Sequence, residues 1–210
     1  MLTRQDIAKI LLDIKAVQLN VHQPFEYSSG IRSPIYCDNR LLISFPDLRG
    51  KIIDAFVDQI KTKQLPCELI AGTATAGIPH AAWIADRINK PMIYVRGSAK
   101  NHGHSNQIEG YYQPNQQALV VEDLISTGSS ALNACKALQQ KHVKVKHCLA
   151  IFDYQFSASE LAFSQYDIKK HTLTDLNSLL TVAQDLQLLS SNECKMINQW
   201  QHNPEHWVVC

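Results

Sequence analysis

Val120-Val121-Glu122-Asp123-Leu124-Ile125-Ser126-Thr127-Gly128-Ser129-Ser130 is the stretch on which the fold turns. It starts inside the apolar run Ala118-Leu119-Val120-Val121 and passes through two adjacent carboxylates. It ends in a Ser/Thr/Gly segment that opens a helical pattern, with Ala131, Ala134, Cys135 and Leu138 on one face. A short apolar run without polar alternation suits a strand buried on both sides. The same rhythm recurs around it. Glu68-Leu69-Ile70-Ala71 leads through a loop from Gly72 to Gly77 into a helix containing Ala81-Ala82-Trp83-Ile84-Ala85. Pro91-Met92-Ile93-Tyr94-Val95 and the segment from Val145 to Phe152 are further runs. Strands of this kind alternating with helices predict an α/β fold with a mainly parallel central sheet flanked by helices.

Outside this block the pattern is helical. Ile7, Ile10, Leu11, Ile14 and Val17 predict a helix over 4–18, and Ile52, Ile53, Phe56, Val57 and Ile60 predict another over 46–64, with Pro46 at its start. Residues 20–45 read as irregular, and helices are expected over 174–188 and 192–201. The stretch 97–117 has no apolar periodicity and contains Gly97, Gly103, Gly110 and Pro114. A loop of that length inside an α/β domain reads as a functional lid or a disordered segment. Between Arg87 and Ile108 stand Arg87, Lys90, Arg96 and Lys100 and two histidines, with no acid, so the lid is expected to be cationic and suited to a polyanionic small ligand.

At ~150 residues per domain, 210 residues amount to one domain with an extension. Residues 46–160 are taken as the core, and 1–45 with 161–210 as packing segments of the same domain. Hydrophobic residues make up 45% and charged residues 19%, which excludes a disordered or coiled-coil chain. Lys and Arg total 20 against 19 Asp and Glu, a net charge of +1, so neither nucleic acid nor a membrane surface is expected as a partner. The six cysteines form no C-x-x-C pair, which argues against a zinc ribbon. With no export signal and no apolar run of membrane-spanning length, a cytoplasmic location is expected.

Ligands of open α/β sheets lie beyond the carboxyl ends of the strands. There, the N–H groups and hydroxyls of residues 126–130 with a helix N-terminus can hold a phosphate monoester. Glu122 and Asp123 would repel a bare polyphosphate. They suit ribose hydroxyls, or a hydrated Mg²⁺. The small-residue loop Gly72-Thr73-Ala74-Thr75-Ala76-Gly77 after a neighbouring strand offers a second phosphate grip. G-x-x-x-x-G-K-[ST] and G-x-G-x-x-G are both absent, which argues against a P-loop kinase and a Rossmann dehydrogenase.

VVEDLISTGSS resembles the signature of type I phosphoribosyltransferases. With SSGIRSPIYCDNRL (28–41), IAGTATAGIPHAAWIAD (70–86) and YVRGSAKNHGHSNQIEG (94–110), the chain resembles the orotate phosphoribosyltransferase family over about residues 20–155. The resemblance implies the type I phosphoribosyltransferase fold, with a hood built from the N- and C-terminal segments. It implies transfer of ribose 5-phosphate from 5-phosphoribosyl 1-diphosphate to N1 of orotate, in de novo pyrimidine (UMP) biosynthesis, with Mg²⁺ as cofactor.

The resemblance also carries roles over by position. Ser126, Thr127, Gly128, Ser129 and Ser130 would cradle the 5′-phosphate. Glu122 and Asp123 would meet the ribose hydroxyls, and Leu124 and Ile125 would also bind the donor. Thr73, Ala74, Thr75, Ala76 and Gly77 would line the diphosphate, with a cis peptide near Ala74–Thr75. Arg96, Lys100 and His102 would act on the diphosphate, Lys100 and His102 as catalytic residues of a loop reaching into the neighbouring site of a homodimer. Ser33, Tyr36 and Ser126 would meet orotate, and Arg32 is a candidate partner for its carboxylate. No direct protein ligand to Mg²⁺ is expected; the donor and water hold it near Glu122 and Asp123. Gly97, Ser28 and Ala76 stand where many members carry lysines. A purine phosphoribosyltransferase and a non-catalytic sensor of the donor stay open as alternatives at this point.

Overall fold

The computed structural model describes residues 2–26, 30, 32–97, 106–204 and 207. In chain order the elements are α1 (Arg4–Asp13), β1 (Val17–Leu19), β2 (Phe25–Glu26), β3 (Arg32–Ser33), β4 (Ile35–Cys37), a 3₁₀ turn (Asn39–Ser44) and α2 (Pro46–Thr62). Then follow β5 (Leu69–Thr73), α3 (Gly77–Arg87), β6 (Met92–Val95), β7 (Ile108–Glu109), β8 (Gln117–Val121), β9 (Leu124–Ile125) and α4 (Ser129–Gln140). The chain continues with β10 (Lys144–Asp153), α5 (Ser157–Gln165), β11 (Lys169–Asp175), α6 (Leu176–Asp185) and α7 (Ser191–His202).

Among the described residues these build a seven-stranded sheet ordered β11-β10-β8-β5-β6-β7, with β9 paired to β10. Each pairing is parallel except β6 with β7. The α/β fold with a mainly parallel sheet is therefore as the strand rhythm predicts. Alternate residues of one strand feed two cores. Ile70, Leu119, Val121, Leu149 and Ile151 pack under α1, α2, α3, α6 and α7. Leu69, Ala71, Val120, Cys148 and Ala150 pack under α4 and α5. Both faces of the strands are thus buried, and that is why their sequences are continuously apolar.

Some expected boundaries are corrected. The helix expected over 4–18 ends at Asp13; Lys15 takes a left-handed φ of 59°, and Val17 enters β1, opposite Cys37 of β4. Val17 lies three residues past Ile14, so helical spacing alone does not separate it from the helix. The helix expected from Thr174 begins at Leu176, because Thr174 and Asp175 still belong to β11 and the Asp175 carboxylate caps α6 through the N–H of Ser178. β11 itself, Lys-Lys-His-Thr-Leu-Thr-Asp, has no apolar run, yet it is the edge of the central sheet, which extends past residue 160. Within 97–117, Ile108–Glu109 forms β7 against β6, with Ile108 buried.

Two glycines show what the packing demands. A Cβ on Gly77 would lie 2.4 Å from the carbonyl oxygen of Val121 and 3.3 Å from the Cα of Glu122. Gly50, inside α2, has open space around it. Gly77→Ala is therefore expected to destabilise the chain by about 1–3 kcal/mol. Gly50→Ala is expected to stabilise it by about 0.5–1 kcal/mol through helix propensity. Thermal melting of the two variants beside the parent checks both signs.

Candidate active site

The carboxyl ends of β5 and β8 bring two loops side by side. After β5 the chain passes through Ala74–Thr75, joined by a cis peptide bond, and Ala76 into α3. The Ala74 N–H donates to the carbonyl of Val95 on β6 (2.8 Å), and Thr73 is buried with no hydrogen-bond partner for its hydroxyl. After β8 come Glu122, Asp123 and β9, then Ser126, Thr127 and Gly128 into α4. Gly128 has φ 79° and starts the helix from a left-handed turn that glycine adopts without a Cβ penalty. The hydroxyls of Thr127 and Ser129 lie 3.0 Å apart. Thr127, Ser129 and Ser130 are exposed and Ser126 is half-buried. Neither α3 nor α4 has a side-chain N-cap, so their first N–H groups face the loops without an internal acceptor from that source.

Glu122 and Asp123 sit between the loops. Glu122 is 5% exposed, and its Oε2 has no hydrogen-bond partner. Its Oε1 accepts the Asp123 N–H at 3.1 Å. Burial, and after it the charge of Asp123, push the Glu122 carboxyl up to about 9. Burial also raises Asp123. Burial of the pair thus favours its neutral form, and a hydroxyl donor or a cation placed there would favour the charged form. Asn39, fully buried, donates from Nδ2 to the backbone oxygen of Asp123 at 2.8 Å and ties the N-terminal segment to this edge.

Beside Ser126 lies a cavity of about 140 Å³ lined by Tyr36, Cys37, Leu124, Ser126, Tyr154 and Phe156. Tyr154 and Phe156 are stacked with ring centroids 5.3 Å apart and planes within 5°. Trp200 of α7 packs edge-on against both and donates its indole N–H to the Arg32 carbonyl (3.2 Å). A larger cleft, about 510 Å³, runs along β11 and α5, with ion pairs in its walls.

Of the expected orotate residues, Tyr36 and Ser126 line the small cavity. Ser33 does not: it is buried, and its hydroxyl donates to the Ile35 carbonyl (2.6 Å) and accepts the Ile35 N–H (3.2 Å), holding the turn into β4. Arg32 is exposed. Arg96 stands at the end of β6, 3.6 Å from Glu109, so an acid just past the acid-free stretch partly offsets it. The cationic lid loses two members: Arg87 ends α3, paired with Asp54, and Lys90 precedes β6, both at the amino edge of the sheet. Lys100 and His102 lie outside the described residues. Tyr154, Phe156, Cys37 and Asn39 are not singled out by the sequence, although two aromatics just past a strand's carboxyl end, in Asp153-Tyr154-Gln155-Phe156, are a readable signal.

No family model matches the chain. Across 202 residues it is 54% identical to the orotate phosphoribosyltransferase of Coxiella burnetii, covering 96% of this chain and 97% of that one. This chain belongs to the orotate phosphoribosyltransferase family. Among solved structures it resembles the orotate phosphoribosyltransferase of Aeropyrum pernix, at TM-score 0.74 and 29% identity, over 88% of this chain and 99% of that one. It shares its fold with Leishmania donovani UMP synthase (TM-score 0.77, 24% identity), matching 93% of this chain and 42% of that longer one. Membership makes the protein a transferase of pyrimidine biosynthesis that carries out orotate phosphoribosyl transfer. Among the described residues no helix is long and apolar enough to cross a membrane.

The raised carboxyl of Glu122 has a consequence for stability. The folded chain keeps a proton that the unfolded chain releases near pH 4.5. Stability attributable to this group is thus present below that pH and is lost as the pH rises toward about 9. Above pH 6.5, where His80 and His171 are neutral in both states, the melting temperature of the ligand-free protein should fall as the pH rises toward about 9, and Glu122→Gln should flatten that fall.

Proposed function

We propose that the two loops and the carboxylate pair form the site for 5-phosphoribosyl 1-diphosphate, with orotate in the adjoining aromatic cavity. Ser126 to Ser130 take the 5′-phosphate on the hydroxyls and N–H groups that open α4. Glu122 and Asp123 accept hydrogen bonds from the ribose hydroxyls, and Leu124 and Ile125 carry the chain between the two subsites. Thr73 to Gly77 line the diphosphate. The observation that carries this reading is the orphaned Oε2 of buried Glu122 at the junction of the loops, since a buried carboxyl oxygen without a hydrogen-bond partner calls for one.

Orotate then lies between Ser126 and the wall of Tyr36, Tyr154 and Phe156, where flat rings suit a flat base. Ser33 contributes from behind, by holding the turn before Tyr36. As the anomeric C–O bond breaks, its electron pair leaves with the diphosphate, and orotate N1 supplies the pair for the new C–N bond. Positive character on the ribose is eased by the nearby carboxylates, and negative charge on the leaving group is met by Arg96, Lys100 and His102. Removing one of these cations should affect the transition state more than the bound donor.

The residues fit Mg²⁺. Glu122 and Asp123 hold raised carboxyls and one unpartnered oxygen. Two carboxylates are too few for a protein-only cage but suit a hydrated ion shared with donor oxygens. When bound, Mg²⁺ supplies charge neutralisation to the diphosphate. We further propose a cytoplasmic homodimer in which the loop around Lys100 completes the neighbouring site.

Purified protein with Mg²⁺ and donor is expected to release diphosphate only when orotate is added. Release driven by adenine, guanine or hypoxanthine instead would contradict the assignment of the cavity. Lys100→Ala is expected to lower kcat by ~10²-fold with a smaller change in donor KM, as for loss of a transition-state charge partner. Mixing Lys100→Ala with Asp123→Asn should restore activity through hybrid dimers that hold one intact site. Near-parental turnover of Lys100→Ala would remove Lys100 from the mechanism.

A further inference from the structure

Lys170 lies on β11, in the part of the sequence that gives least sign of burial, yet its side chain is 8% exposed. Its ammonium donates to Asp153 Oδ2 (2.7 Å), Glu160 Oε1 (2.6 Å) and Ser159 Oγ (3.1 Å). Its three protons match these three acceptors, the condition under which a lysine tolerates burial.

Each acceptor leads toward the Ser126–Ser130 loop. Asp153 ends β10 in register with Ile125, the residue before Ser126, and the next N–H, of Tyr154, donates to the Ile125 carbonyl at 2.9 Å. Ser159 and Glu160 are on α5, a helix of nine residues without a side-chain N-cap. Phe163 of the same helix is packed directly against Gly128. A Cβ on Gly128 would lie 2.5 Å from Phe163 Cε2 and 3.5 Å from Ser159 Oγ. The Lys170 ammonium lies 5.5 Å from the Phe163 ring centroid. The floor under the left-handed turn at Gly128 is therefore α5, and Lys170 is the hub that joins α5 to the end of β10.

We propose that Lys170 is a positioning residue for the phosphate loop. It fixes α5 beneath Gly128 and so sets the placement of the N–H groups and hydroxyls that take the 5′-phosphate of the donor. It touches no substrate. The inference rests on the assignment of Ser126–Ser130 to that phosphate. A merely structural Lys170, neutralising two acids at a sheet edge, would lower the melting temperature of a variant without moving phosphate affinity.

Two competitive inhibitors of the donor separate these roles in the full-length protein. Ribose 5-phosphate probes the 126–130 loop, and inorganic diphosphate probes the 73–77 loop. Lys170→Met is expected to raise the inhibition constant of ribose 5-phosphate and the donor KM by ~10-fold, with kcat changed less, as for a displaced binding loop. The inhibition constant of diphosphate should stay near the parental value. Ser159→Ala with Glu160→Gln unhooks α5 while leaving Lys170 paired with Asp153, and it should shift the same constant in the same direction. This double variant decides the matter if Lys170→Met fails to fold. An unchanged ribose 5-phosphate constant, or an equal rise in both constants, would overturn the proposal. Ser129→Asp places a carboxylate in the loop itself. If it raises the ribose 5-phosphate constant while the Lys170 and α5 variants do not, the positioning role alone fails. If it does not, the loop assignment fails and the proposal with it.

Discussion

The close approach of Gly77 to the Val121 carbonyl is the contact on which the site depends. It seats the first turn of α3 on the carboxyl end of β8, at a distance no side chain permits. Two strand-loop-helix units thereby present their loops at one edge, with Glu122 at the junction. Parallel pairing of β5 with β8 from Leu69↔Ala118 to Gly72↔Val121 sets the level at which both strands end. The cis peptide at Ala74–Thr75 and the left-handed Gly128 then shape the two loops on that common frame.

Electrostatics divides the site in the same way. The acids are central, Glu122 buried and Asp123 half-buried, whereas Arg96 is peripheral and shares its charge with Glu109. A net charge of +1 conceals this arrangement, because the cations Arg87, Lys146 and Lys170 are each matched by an acid. The N-terminal segment and α7 are joined to the same edge by a few polar contacts. Asn39 reaches Asp123, Trp200 reaches Arg32, and Gln201 reaches the Tyr154 carbonyl. These ties bring the Tyr36 ring and the neighbouring Tyr154 and Phe156 rings to one wall from two distant parts of the sequence.

The sheet and its loops are legible in the sequence because strands buried on both faces must be apolar throughout, as Val120 and Leu119 are. β11 is not, because Leu173 is its one apolar residue and Lys170 is covered by ion pairs to Asp153 and Glu160 and a hydrogen bond to Ser159. Val17 misleads for another reason. It continues a helical period, and only the left-handed turn at Lys15, invisible to periodicity, redirects it into β1. In the site, Glu122, Asp123 and the two loops are marked by residue type beside a buried run. Asn39 and Phe156 act through tertiary placement, and Ser33 reads as a pocket residue although its hydroxyl closes a local turn.

Burial raises the carboxyls of Glu122 and Asp123 in the free protein, and in the proposed donor complex the ribose hydroxyls would favour their charged form. Calorimetric titration of donor with Mg²⁺ at pH 7, repeated in buffers of different ionisation enthalpy, measures the protons exchanged on binding. Net proton release is expected from the parent protein and is expected to be abolished by Glu122→Gln. Identical proton exchange in the two proteins would contradict it.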